Sequence, residues 1–168
     1  MGYRALVEYD GTAYHGFQRQ RSEQTIQGQL EAAIESVAGQ LATVVAACRT
    51  DSGVHATGQV IAFELEWRHG HQALQRALNS NLPEDIAVRG LEETPEGFHP
   101  RFSARRRAYE YRIYNASVRS PLQRRKAWHV VRPLKVDDMN WAAMAIVGRH
   151  DFATFGQPPQ GINTEREV

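Results

Sequence analysis

Between residues 3 and 93 the apolar side chains switch between two spacings, and the order of those switches admits few folds. Tyr3, Ala5, Val7 and Tyr9 recur at every second position, which places them on one face of an extended strand. Ile26, Leu30, Ile34 and Val37 follow the helical period instead. Thr25 stands where its hydroxyl can cap that helix, and Gly39 stands where a left-handed residue would end it. A short β-branched run covers 43–48, a polar turn 49–53 interrupts it, and a strand resumes over 58–66. Leu74 and Leu78 mark a second helix over 71–79, which Asn81, Leu82 and Pro83 stop before a last strand over 86–93. The order β-α-β-β-α-β predicts an α+β fold, a ferredoxin-like split βαβ unit with an antiparallel sheet.

A second unit is expected over 98–168, after a first over 1–97. Residues 105–115 and 125–131 read as two longer strands around a turn at Ser120 and Pro121. Asp137 is placed to cap a helix running through Ile146 and ending at Gly148, with Trp141 packed inside it. Residues 156–161, with Pro158 and Pro159, read as a loop, and 164–168 as the opening of another strand. One strand pair and one helix do not complete a second split βαβ unit, so this unit is expected to be an incomplete α+β unit in a chain cut short at its C-terminus.

The 168 residues suffice for a real core. With Cys48 as the sole cysteine, an internal disulfide is excluded and a zinc site disfavoured. No apolar run approaches the roughly 18 residues of a membrane span. The opening residues lack a signal-peptide core, and Leu6 stands where a myristoylation signal needs Ser or Thr. These readings predict a cytoplasmic protein with no membrane partner.

The net charge of +1 conceals an uneven distribution. Residues 99–132 carry ten Arg and Lys against one acid, Glu110, a net +9, while the rest carries ten basic and eighteen acidic residues, a net −8. A basic block of this kind suits a polyanion, although a solvated basic face has the same composition. Phe102, Tyr109, Tyr111, Tyr114 and Trp128 lie among the cations, the mixture that stacks on bases while neutralising phosphates. The competing reading packs at least half of those aromatics into a core, Tyr111 or Tyr114 among them.

Two loops carry candidate chemistry. Arg49-Thr50-Asp51-Ser52-Gly53-Val54-His55 sets a carboxylate on a tight turn between strands, and Asp-Ser-Gly is also ordinary turn text. A Ser52-His55-Asp51 hydrolase triad fails the nucleophile-elbow pattern, because Thr50 stands where glycine is required. Three triad members so close on one loop also leave little freedom for the geometry. The loop 10–23, with Gly11, Tyr14, His15, Gly16 and Gln18-Arg19-Gln20, lacks phosphate-loop spacing and suits hydrogen bonding to bases or to another loop. His55 reads as a residue that holds the turn, and Asn79, Asn81 and Asp85 as helix-stop and turn residues.

Taken together, Glu8-Tyr9-Asp10-Gly11-Thr12, Gln18-Arg19-Gln20, Thr25-Ile26-Gln27-Gly28 and Arg49 through Ala56 closely resemble the TruA-type tRNA pseudouridine synthases. The resemblance continues through Asn79 to Asp85, Phe98 to Ala104, Tyr109-Glu110-Tyr111 and His150-Asp151-Phe152. It implies isomerisation of uridine to pseudouridine in the anticodon stem-loop of tRNA, with no cofactor and no metal, by a homodimer when the chain is full length. By position it implies Asp51 as nucleophile, Tyr109 as the tyrosine packing on the flipped uracil, and Arg49 as the residue that helps extrude the base. Phe98, His99, Pro100, Arg101 and Phe102 match an RNA-contacting segment. For Arg105, Arg106 and Arg107 a phosphate-binding role follows from charge alone. Members of that family continue past position 168, where they supply a basic partner for the aspartate and apolar walls for the uracil pocket. A catalytically inactive RNA-binding fragment is therefore the alternative expectation for these residues.

Overall fold

The computed structural model describes residues 1–155 and 164–168. The loop expected over 156–161 lies outside the described residues. The chain divides into two compact units, Met1–Glu110 and Tyr111–Val168. Residues 98–110, grouped by sequence with the second unit, cluster with the first.

The first unit runs β1 (Gly2–Tyr9), α1 (Ile26–Ala38), β2 (Val45–Ala46), β3 (Ala56–Glu64), α2 (His71–Asn81) and β4 (Ile86–Glu93). Its sheet has the order β2-β3-β1-β4 with every neighbouring pair antiparallel, which is the split βαβ arrangement the periodicity predicts. β1 is central, with Tyr3 opposite Phe63 on one side and Val7 opposite Val88 on the other. Its alternate residues Tyr3, Ala5, Val7 and Tyr9 are all buried, in one cluster with Ile26, Leu30 and Ile34 of α1 and Leu74 and Leu78 of α2. Both helices therefore cover one face of the sheet, and Leu6 on the opposite face is exposed.

The helix ends follow their local chemistry. Thr25 accepts from the Gly28 N–H, and Gly39 adopts a left-handed φ of 65° while its N–H reaches Glu35. Those contacts satisfy donors and acceptors that a helix end leaves open. Asn79, near the end of α2, donates to the Val88 carbonyl at 2.8 Å and accepts from its N–H at 2.7 Å. A turn residue in sequence terms thus fastens helix to strand.

The second unit departs further from expectation. β5 (Ile113–Asn115) and β6 (Trp128–Val130) form a short parallel pair in place of two long strands. Residues 105–112, expected as the first part of one of those strands, pair with no neighbour and form no regular element. α3 spans Val136–Met144 with Lys135 at its N-cap, so Asp137 lies within the first turn and is not the cap. There its carboxylate, like that of Asp138, meets the positive end of the helix dipole. Trp141 is 82% exposed, against the expectation that it packs. Tyr111 is exposed and Tyr114 is only half-buried, so neither belongs to a core. The expected strand at the end is present: β7 (Arg149–Asp151) pairs antiparallel with β8 (Glu165–Glu167).

Candidate active site

The loop between β2 and β3 is held by contacts from the loop that follows β1. Asp51 through Val54 form a turn closed by the Val54 N–H on the Asp51 carbonyl at 3.2 Å. Gly53 sits at the third position with φ +78°, the positive-φ geometry of a type II turn. The Phe17 N–H donates to the Thr50 carbonyl at 2.9 Å, and the Gly53 N–H donates to the Tyr14 carbonyl at 3.3 Å. The Ser52 hydroxyl donates to that same Tyr14 carbonyl at 3.2 Å. Thr50 Oγ1 also shares a 2.8 Å hydrogen bond with the buried Tyr9 hydroxyl.

Two glycines allow the loops to approach this closely. A Cβ on Gly11 would collide with the Val54 carbonyl, and one on Gly16, at φ +87°, would lie 2.7 Å from the Thr50 carbonyl oxygen. The outer loop is itself tied to α1: Gly16 and Phe17 carbonyls accept from the Ile26 and Gln27 N–H groups. His55 Nδ1 lies 3.1 Å from the Gly11 nitrogen and 3.0 Å from Asp10 Oδ1. The neutral ring accepts from Gly11 and the protonated ring pairs with Asp10, so either state holds the turn, as the sequence suggests. That arrangement leaves Ser52 bonded to a backbone carbonyl and gives no support to a serine nucleophile.

The Asp51 carboxylate at the tip of this clamped turn is exposed. Among the described residues it has no hydrogen bond or ion pair, and Arg49, also exposed, does not pair with it. The segment 98–110 returns beside the strand leading to the turn. Arg107 donates to the Ala47 carbonyl at 3.1 Å and to the Arg101 carbonyl at 3.4 Å. The Tyr109 hydroxyl lies 3.3 Å from Cys48 Sγ, and that hydrogen bond, followed by burial, raises its pKa above the ordinary phenol value. Tyr109 therefore keeps its proton at neutral pH.

The other sequence candidates are distributed along this returning segment. Phe98 is half-buried with the Arg4 guanidinium 5.3 Å from its ring centre, and Pro100 is buried. The His99 ring lies tilted at 31° against the exposed ring of Phe102, with centroids 4.4 Å apart, and Arg101 is exposed. Arg105 and Arg106 are exposed with no ion pair among the described residues. Of the three consecutive arginines, only Arg107 has its guanidinium occupied by backbone carbonyls. Tyr9 stands in the sequence as a core position of β1 and Tyr14 as part of a loop suited to hydrogen bonding, while Gln59 carries no mark and looks like surface. Gln59 is buried and donates to the Cys48 carbonyl. The spacing of Gly11 and Gly16 is the available signal, since glycines that cradle no phosphate can instead cradle a backbone.

Residues 5–103 match the family described as tRNA pseudouridine synthase. The chain belongs to the tRNA pseudouridine synthase family. It is 46% identical over 154 residues to tRNA pseudouridine synthase A of Caulobacter sp. (strain K31), covering 91% of this chain and 62% of that protein. The corresponding protein of Thermoanaerobacter sp. (strain X514) is 42% identical over 150 residues, with 89% and 62% covered. That of Anaplasma marginale (strain St. Maries) is 46% identical over 159 residues, with 92% and 64% covered. This member of the synthase family thus spans under two thirds of the length of these curated relatives. The family match includes both clamped loops and the start of the returning segment. Among its described residues no helix is long and apolar enough to cross a membrane, and no cluster of His, Cys, Asp and Glu is placed to hold a metal ion.

Proposed function

We propose that this protein isomerises uridine to pseudouridine in the anticodon stem-loop of tRNA, with Asp51 as the nucleophile. The observation that carries the reading is an exposed carboxylate, without a partner among the described residues, on a turn whose backbone is held on both sides. A nucleophile needs a free carboxylate, and its placement needs a rigid loop. The reaction breaks the N1–C1′ bond and forms a C5–C1′ bond; C5 gives up its proton and N1 gains one. Composition and oxidation state are unchanged, so the chemistry calls for no redox cofactor. An ionised carboxylate can attack the ribose or the uracil ring and then leave, dividing one difficult step into easier ones.

The remaining roles follow from reach. The target atoms lie inside a stem, so the base must be extruded, and Arg49, exposed beside the turn, is suited to hold the vacated position. Tyr109 offers a protonated phenol and an aromatic face to the displaced uracil. Phe98, His99, Pro100, Arg101 and Phe102 supply an RNA-contacting edge, and Arg105 and Arg106 supply cations for phosphate. The homodimer and the cytoplasmic setting belong to the same proposal. The relatives bear the name of a synthase, which favours an enzyme over a binding module.

Asp51→Asn in the full-length protein tests this reading. It keeps the size of the side chain and removes the nucleophile, so pseudouridine formation on an unmodified tRNA should fall by orders of magnitude while tRNA affinity stays nearly unchanged. Near-normal turnover would make Asp51 a turn residue only.

A further inference from the structure

We propose that Tyr14 is a positioning residue for Asp51, a buried strut that fixes the Asp51 turn to the start of β4 through its carbonyl at one end and its hydroxyl at the other. The inference rests on the reading of Asp51 as the nucleophile and adds what holds that carboxylate in place. At the loop end, the Tyr14 carbonyl receives two donors, the Ser52 hydroxyl at 3.2 Å and the Gly53 N–H at 3.3 Å. These are the two residues that directly follow Asp51. At the far end, the Tyr14 hydroxyl donates to Asp85 Oδ1 at 2.6 Å. Asp85 is anchored in turn, because its carbonyl accepts the Asp10 N–H at 2.9 Å where β1 ends and β4 begins.

The hydroxyl is not needed to fill the core. Phe17 lies three positions later on the same loop and is as fully buried without one. Burial, and after it the hydrogen bond to Asp85, raises the Tyr14 pKa, so the hydroxyl stays protonated and donates. Ser52, Gly53 and Val54 are all exposed, so the turn is held by hydrogen bonds: those to Tyr14 after Asp51 and the Phe17 N–H on the Thr50 carbonyl before it. A shift of about 1 Å in a reacting group costs roughly 100-fold in rate, so a strut of this kind acts on turnover more than on binding.

The test uses the full-length protein, an unmodified tRNA transcript, and three readouts: single-turnover pseudouridine formation, tRNA Kd and thermal midpoint. Tyr14→Phe and Asp85→Ala should each lower the single-turnover rate by roughly tenfold or more with Kd nearly unchanged. The double variant should be no slower than the worse single one, because both remove one strut. Asp85→Asn, whose carboxamide oxygen accepts the same bond, should recover most of the rate lost in Asp85→Ala. Ser52→Ala cuts the exposed end without touching the core, so it should slow the reaction with an unchanged thermal midpoint even if the buried variants fold poorly. A native rate in Tyr14→Phe, additive losses in the double variant, or a loss that falls in Kd would overturn the inference. Asp51→Asn in the same assay separates the two ideas. If that variant turns over normally, the nucleophile reading fails; if it is inactive while Tyr14→Phe is normal, only the strut fails.

Discussion

Leu74 and Trp141 both sit in the middle of short helices, yet Leu74 is 0% exposed and Trp141 is 82% exposed. The difference extends to the units that hold them. In Met1–Glu110 the apolar residues of two helices and four strands converge on one cluster, whereas among the described residues of Tyr111–Val168 no side chain is buried. Periodicity tells which side of an element is apolar. It does not tell whether another surface lies against that side, and packing on such a surface, more than helical propensity, stabilises a short helix.

The largest expected effect that tests this contrast is on stability. Leu74→Ala should destabilise the first unit by about 2–5 kcal/mol, the range for emptying a packed leucine site. Trp141→Ala should change stability by less than about 0.5 kcal/mol, as for a surface substitution. Chemical denaturation of each variant measures both. Equal losses would break the comparison, since they would mean that α3 is covered in solution.

How far the sequence can be read follows the same division. Thr25 and Gly39 act locally, within a few residues of the backbone they cap, so both ends of α1 are legible. β1 is legible because its buried face repeats without interruption. Tyr109 and Tyr111 alternate within 105–112 and suggest a strand, but alternation does not tell whether a neighbouring strand is there to pair with it. Within the candidate site, Asp51 stands out through its motif and His55 through its turn. The hydrogen bonds between Tyr9 and Thr50, from Tyr14 to Asp85 and between Tyr109 and Cys48 join residues far apart in the chain, and no local pattern encodes them.

A smaller effect concerns which unit would supply the phosphate-binding cations on the proposed reading. Among the described residues Arg105 and Arg106 have no ion pair, while Arg107 is committed to the Ala47 and Arg101 carbonyls. Arg105→Ala with Arg106→Ala should therefore flatten the log–log salt dependence of tRNA binding by about 0.9 for each duplex phosphate left without its cation. The same pair of changes at Arg119 and Arg124 measures the second unit's share. An unchanged slope in the first double variant would leave those arginines as surface residues and move the electrostatic footprint to the second unit.

The smallest effect is a dependence on alkaline pH that belongs to the first unit. Burial is the main cause that raises the pKa of Tyr3, Tyr9 and Tyr14. The unfolded chain then loses those protons first, at about pH 10. The stabilisation is complete below that pH and declines as pH rises toward the raised folded values. Thermal midpoints followed by circular dichroism should stay flat to about pH 9.5 and then fall. A midpoint independent of pH up to about 11 would contradict the burial of these phenols.

The clamp around Asp51 also sets when the site can come into being. Its bonds join residues 38, 41, 44 and 71 positions apart: Ser52 to Tyr14, Thr50 to Tyr9, His55 to Gly11 and Tyr14 to Asp85. Loop closures of that length are compensated only once the sheet has brought the strand ends together. During synthesis at about 5–20 residues per second, Asp85 leaves the ribosome seconds after Asp51. For that interval the aspartate is an ordinary residue on an unformed turn. The arrival of β4 completes the sheet and fixes the Asp51 turn in the same event, so on the proposed reading a chain that has not finished folding this unit has no formed site.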